Sequence, residues 1–240
     1  MKVRLEHPFL LFVISAYAAV SYSAHAADPN AYLYIAHAAS GRSISSATNP
    51  EYAVDISLGG HCVAQGVSFG EIRGPFVQPA GALPVKVSIS NSANPCGGSV
   101  VFSPTISLSA GSTALGILTV TSAHAIGGQI AAVNLSAVLV GRGRLIVANV
   151  SPDNLTGALS PGDSTSSPIT QNFAAGTVSE ALPGAGEYTV TVFPEGSSTA
   201  ATGPLEFDVV SRNVYLVVLT GSTTNNSVQV IGPRVIRDVF

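Results

Sequence analysis

The sequence predicts an all-β protein: two tandem immunoglobulin-like or transthyretin-like β-sandwich modules behind a signal peptide. Three observations predict it. Short runs of Val, Ile, Leu, Thr and Tyr recur with period two, bounded by Gly, Pro, Asn and Ser. Helix signals are nearly absent: apolar residues do not recur at a spacing of 3.6, and 24 Gly and 15 Pro punctuate the chain. The order of strand-like runs in the first half returns in the second.

The N-terminus is laid out as a leader. Lys2 and Arg4 form a short basic region, Pro8 to Val20 an apolar run, and Ala24-His25-Ala26 offers small residues before a cut at Ala27. Signal peptidase reads that order, because its pocket admits only short side chains beside the cut. The apolar run is shorter than the roughly 20 residues of a membrane-spanning helix. The expected division is a signal peptide at 1–26, a first sandwich module at 27–140 and a second at 141–240, with the boundary at Gly141-Arg142-Gly143. The mature chain carries no later apolar run of about 18 residues, so no membrane span is expected in it. Export leads to the periplasm or the extracellular space.

The elements follow in order. Ala31 to His37 opens the body, and Tyr52 to Leu58 alternates. Leu83 to Ile89 places Leu83, Val85, Val87 and Ile89 on one face, with Lys86 and Ser88 on the other. Ile106 and Leu108, then Leu115 to Val120, read as a strand pair around Ala110-Gly111. Leu145 to Val150, Tyr188 to Phe193, Leu205 to Val210 and Val214 to Leu219 repeat the style. Side chains alternate across a strand, so each run is expected to bury one face and wet the other. Two such buried faces make a sandwich.

The halves align. Tyr32 to His37 matches Arg144 to Asn149, and Pro79 to Val87 matches Gly184 to Val192. The pair within Ile106–Val120 matches Leu205–Leu219, so the offset falls from about 112 to about 101 as loops change length.

These residues also resemble a known family. Ile35-Ala36-His37-Ala38 is similar to a "VVHA" element, Ala53 to Gly60 to a "VDVYVDG" strand, and Gly66 to Gly70 to a "GVxFG" element. Pro79-Ala80-Gly81 with Val85-Lys86-Val87 is similar to a "PAG" strand, and Ser109-Ala110-Gly111 to the last turn. This pattern resembles the DUF4397 family of extracytoplasmic bacterial β-sandwich modules, which often occur in tandem. The second half keeps Asn149-Val150-Ser151-Pro152-Asp153 and Pro183 to Val190 but has no clear "VDVYVDG" strand. The resemblance implies fold and compartment; the family has no established activity.

Charge and cysteine content narrow the function classes. Without Lys2, Arg4 and Glu6 the chain has 8 basic and 12 acidic residues, a net of −4, and no basic run. Nucleic-acid binding and attraction to anionic membranes are therefore not expected. Cys62 and Cys96 are expected to form one disulfide in an oxidising compartment. His61 beside Cys62 offers too few ligands for a metal, so no metal and no cofactor are expected.

No catalytic residue is expected either. Gly66-Val67-Ser68-Phe69-Gly70 matches the G-x-S-x-G nucleophile elbow, but Gly74-Pro75 forbids the helix that elbow needs. The acids Asp55, Glu71, Asp153, Asp163, Glu180, Glu187, Glu195, Glu206 and Asp208 are scattered. Asp55 and His37 are expected to be structural, and His124 sits in a loop-like Ser122-Ala123-His124-Ala125 with no obvious partner. The terminal Phe240 heads a dyad broken at Asp238 and Arg234, unlike a barrel strand. The function expected is a non-enzymatic binding or structural module of the envelope or extracellular space, with an unknown envelope, protein or glycan partner. Two alternatives are a hydrolase of envelope or carbohydrate polymers, with its site between the modules, and an adhesin or fimbria-like subunit.

Overall fold

A computed structural model describes residues 28–40, 53–121, 125–162, 167–224 and 227–236. The expected signal peptide, His124, Asp163 and Phe240 lie outside these residues. The described chain is all-β, without helix. No helix in it is long and apolar enough to cross a membrane.

The first half forms β1 (Asn30–His37), β2 (Val54–Leu58), β3 (His61–Val67), β4 (Ile72–Pro79), β5 (Gly81–Ile89), β6 (Val100–Phe102), β7 (Thr105–Leu108), β8 (Thr113–Val120) and β9 (Ile126–Ala132). The second forms β10 (Arg144–Asn149), β11 (Leu155–Pro161), β12 (Ile169–Phe173), β13 (Val178–Ala181), β14 (Gly186–Pro194), β15 (Leu205–Val209), β16 (Val214–Thr220) and β17 (Gln229–Ile236). One sheet of the first half runs β4-β1-β8-β9, the other β3-β2-β5-β6, with β7 also on β5. The second half runs β13-β10-β16-β17 and β12-β11-β14-β15. Replacing β1–β5 by β10–β14, β6 by β15, β8 by β16 and β9 by β17 turns one set of orders into the other. In each half the first strand pairs in parallel with the penultimate one, β1 with β8 and β10 with β16.

Two readings of the sequence change here. Ile106–Leu108 and Leu115–Val120 are not a strand pair: β7 joins β5, and β8 crosses to the other sheet beside β1. Ser109-Ala110-Gly111 is thus a sheet-switching turn. The second half does contain a strand where no "VDVYVDG" run is legible. It is β11, held between β12 and β14, and its Gly157 and Pro161 conceal it from propensity.

The larger correction concerns burial. β1, β10 and β16 were expected to wet one face, yet every residue of β10 and β16 is buried. Alternate side chains feed two different cores. Leu33 and Ile35 enter a first core with Val54, Ile56, Leu58 and Val87. Tyr34 and Ala36 point the other way, into a second core with Leu115, Ile117, Ile146, Ala148, Leu216 and Val218. Leu145, Val147, Tyr215 and Val217 fill a third core with Leu155, Val190 and Val192. Four sheets are therefore stacked, and the middle core joins the halves face to face. Parallel strands covered on both sides read as continuous apolar runs, as Leu145–Ala148 and Val214–Leu219 do.

The middle contact has the pattern of a twofold relation. β4 touches β17, where Arg234 Nη2 donates to the Gly74 carbonyl at 3.4 Å. The counterpart pair is β9 with β13, where Asn134, just past β9, donates to Glu180 at 3.3 Å. The ends of β1 and β16 meet through Thr220 Oγ1 donating to the Ala38 carbonyl at 3.1 Å. A self-complementary contact of this kind is what two copies of one module make when they pair symmetrically. Gly74-Pro75 in β4 and Gly232-Pro233 in β17, both cis, sit on this seam.

Candidate functional site

Asp55 lies on the outer face of β2, and yet it is fully buried. The loop after β5 folds over it. Asp55 Oδ2 accepts the Cys96 N–H at 2.8 Å and the Asn91 N–H at 3.4 Å, while Oδ1 accepts the Gly66 N–H at 2.9 Å. Burial by itself would raise this carboxyl's pKa. The bonds from Gly66, Cys96, Ser90 and Asn91 outweigh it and hold the pKa below the ordinary carboxylate value. Lys86, on the same face, donates to the Cys96 carbonyl at 2.9 Å. Cys62 and Cys96 are disulfide-bonded, with Cα atoms 5.8 Å apart. The bond ties the start of β3 to this loop, so Asp55 and the cystine form one clasp.

His37 and Asn149 end the equivalent strands β1 and β10, and both are fully buried. His37 Nδ1 accepts the Ala39 N–H at 3.4 Å, and its ring stands edge-on to Phe69. Asn149 Oδ1 accepts the Ser151 N–H at 3.0 Å in the same local turn, and its amide donates to the Phe173 and Asp153 carbonyls. Asp153 accepts the Thr223 N–H at 2.7 Å and the hydroxyls of Ser222 and Thr223. Chiefly through the Thr223 N–H, and against partial burial, its pKa is lowered. These polar groups close strand ends.

The hydrolase motif folds otherwise than an elbow. Gly66 to Gly70 turns β3 into β4, strand to strand, and the Ser68 N–H donates to Glu71 at 3.3 Å. Two carboxylates do come together at Glu187 and Asp208, opposite each other on β14 and β15. They stand exposed on an open sheet face rather than in a cleft. No cluster of His, Cys, Asp and Glu among the described residues could hold a metal ion. The space between the halves, where the hydrolase alternative needs its site, is filled by the middle core.

One concavity of ligand size is not legible in the sequence. It is an open groove of about 570 Å³ between the edge strands β3 and β4, lined by Gln65, Glu71, Arg73, Phe76 and, from the second half, Arg234. Ligand pockets run from about 300 to 1,000 Å³. Arg73 bonds Glu71 Oε2 through Nε and Nη2, at 3.0 and 2.8 Å. Arg234 Nη2 makes a long bond to the Gly74 carbonyl, and its charge opposes the burial-driven rise of the Tyr34 phenol pKa. No linear motif could have announced the pair, because 160 residues separate Gly74 and Arg234. A second, apolar slot of about 100 Å³ lies beside Phe102, Ile106, Ile117 and Ile130, too small to take a strand.

No protein-family model and no curated protein matches the chain. Similar solved structures include two described as putative cell adhesion proteins. One, from Bacteroides ovatus, is 8% identical with a TM-score of 0.28, over 89% of this chain and 100% of that one. The other, from Bacteroides uniformis, is 11% identical with a TM-score of 0.25, over 87% and 99%. Overlaps so slight carry no argument about function; the strand order itself defines the fold.

Proposed function

We propose that the protein is an exported, non-enzymatic binding module of the cell envelope or extracellular space, and that the β3–β4 groove holds its ligand. The observation that carries this is the approach of Arg73 and Arg234, from separate halves, to one open groove in a chain of net negative charge. Two guanidiniums and one carboxylate among the lining residues leave a positive excess. Guanidiniums fit carboxylate, sulfate and phosphate oxygens in pairs. An open groove suits a segment of a polymer, so the ligand class is an acidic glycan. The disulfide supports an oxidising compartment.

Kinship with DUF4397-like modules is part of the same reading. Its support is the placement of the motifs: Ala53–Gly60 spanning β2 and the turn after it, Pro79-Ala80-Gly81 at the β4–β5 turn and Asn149–Asp153 running on from the end of β10.

The test is a glycan array probed with the purified chain, followed by titration of the strongest acidic hit. Arg234→Ala and Arg73→Ala should each weaken binding about tenfold, the worth of one charge-assisted pair. Silence across the acidic glycans, or a hit indifferent to both substitutions, rejects the groove.

A further inference from the structure

One wall of the groove is built from an irregular strand. β3 stands at the edge of its sheet and pairs with β2 alone. The register runs Val54↔Val67, Ile56↔Ala64, Ser57↔Cys62 and Leu58↔His61. Asp55 therefore opposes two residues, Gln65 and Gly66, and Val63 falls in the step from Ile56 to Ser57 with no register partner. Each irregularity is a β-bulge, which puts an extra residue on one strand and re-aims its side chains. Gly66 has φ 59°, the left-handed conformation that glycine adopts at such a site. Val63 and Gln65, released from the register, line the groove with Ala64 between them.

Both ends of this short segment are tied to the clasp. At one end Cys62 is bonded to Cys96. At the other the Gly66 N–H donates to Asp55 Oδ1 at 2.9 Å. The two ties share a root. Asp55 Oδ2 accepts the Cys96 N–H at 2.8 Å, and Lys86 donates to the Cys96 carbonyl at 2.9 Å. Asp55 and Lys86 stand on β2 and β5, the two interior strands of that sheet. The opposite wall is held differently: β4 is laddered to β1 from Asn30↔Pro79 to Ala36↔Ile72. An edge strand bonded on one side and bulged twice opens more readily than a central one. The clasp supplies the restraint that the β3 ladder lacks.

We infer that Asp55 and the Cys62–Cys96 disulfide are positioning residues for ligand binding: they fix Val63-Ala64-Gln65 in the shape that completes the groove, without touching the ligand. The inference rests on the reading of the groove as the ligand site. Arg73 and Arg234 supply the charge, and the exposed amide of Gln65 donates to and accepts from sugar hydroxyls. Opening the clasp leaves both guanidiniums where they are and frees the β3 wall. Affinity then falls by the fraction of time the wall spends in its binding shape. Cys62 is exposed, so a thiolate reaches its sulfur, while Cys96 is buried.

The test titrates the purified chain with an oligogalacturonate and with a chondroitin sulfate oligosaccharide, before and after treatment with a dithiol. The dithiol cleaves the S–S bond, leaving two protein thiols as the reagent closes to its own disulfide. Reduction, or Cys62→Ser with Cys96→Ser, should weaken binding about tenfold, as when a freed wall spends about a tenth of its time in the binding shape. Asp55→Asn in the oxidised protein should weaken it about threefold by the same effect. The salt dependence should be unchanged in all three, whereas Arg73→Ala should flatten it. Hydrogen exchange should quicken at Val63 to Gln65 on reduction and stay as it was in β10 and β16. Val192→Ala opens a cavity in the third core and should leave affinity unchanged, so that lost stability alone does not weaken binding. Every titration is run below the melting transition of the variant concerned. Arg73-dependent binding that neither reduction nor Asp55→Asn weakens, or exchange at β3 indifferent to reduction, overturns the inference and leaves the groove standing. Absence of binding in the oxidised chain, or binding indifferent to Arg73→Ala, removes the groove and the inference with it.

Discussion

The Cys96 N–H donates to Asp55 Oδ2 at 2.8 Å, so a buried carboxylate anchors the loop that the Cys62–Cys96 disulfide staples. The two devices are one. Reduction, or Cys62→Ser with Cys96→Ser, should cost about 3–4 kcal/mol in the chain-entropy model, for a separation of 34 residues. Asp55→Asn should cost about 2 kcal/mol in the oxidised protein, through lost bonds to a charged acceptor. It should cost less in the reduced one, because the loop is no longer held over the site. A urea-denaturation cycle over the four forms measures the coupling, and strict additivity would show the devices to be independent.

Ser88 gives the opposite sign on the same face. Its hydroxyl is buried with no hydrogen-bond partner. Ser88→Ala removes a desolvated polar group and should stabilise the protein by about 0.5–1 kcal/mol, seen as a higher melting temperature.

Acid should loosen the protein through Asp55 and Asp153. Both have pKa values lowered in the folded state. A lowered carboxylate contributes stability above its unfolded value, about 3.9, and loses that contribution as pH falls through the folded value. Stability should therefore be level from neutral pH to about 5 and fall below about 4. Asp55→Asn should make that decline shallower in denaturation midpoints taken across the range.

The stacked sheets predict that both halves unfold together. Leu216 is fully buried in the middle core. Leu216→Ala should cost about 3 kcal/mol and lower one calorimetric transition that covers the whole body. Two separate transitions, with only one moved by the substitution, would show that the halves are independent.

Gly74 and Gly232 should resist replacement. Their φ angles are 126° and 105°. A Cβ at Gly74 would stand 2.7 Å from the Leu33 carbonyl oxygen, and one at Gly232 2.6 Å from that of Leu216. Gly74→Ala and Gly232→Ala should each destabilise by about 2 kcal/mol or more in urea denaturation. Gly81→Ala makes a useful contrast: its φ is 122°, with nothing within 4 Å of a Cβ, so it should cost less.

The sequence by itself determined which residues share a strand face, the repetition of strand order between the halves, and the pairing of its only two cysteines. Those follow from period two, from turn residues and from simple elimination. It could not say what the second face of a strand meets. The unbroken run Leu145-Ile146-Val147-Ala148 is compatible with a strand against solvent on one side until another sheet is placed over it. Packing of β10 and β16 on β1 and β8 decides that both faces are dry. The groove depends on the same event. Arg73 and Arg234 are unremarkable surface cations in the sequence, and only face-to-face burial of the halves brings β17 beside β4 and both guanidiniums to one opening.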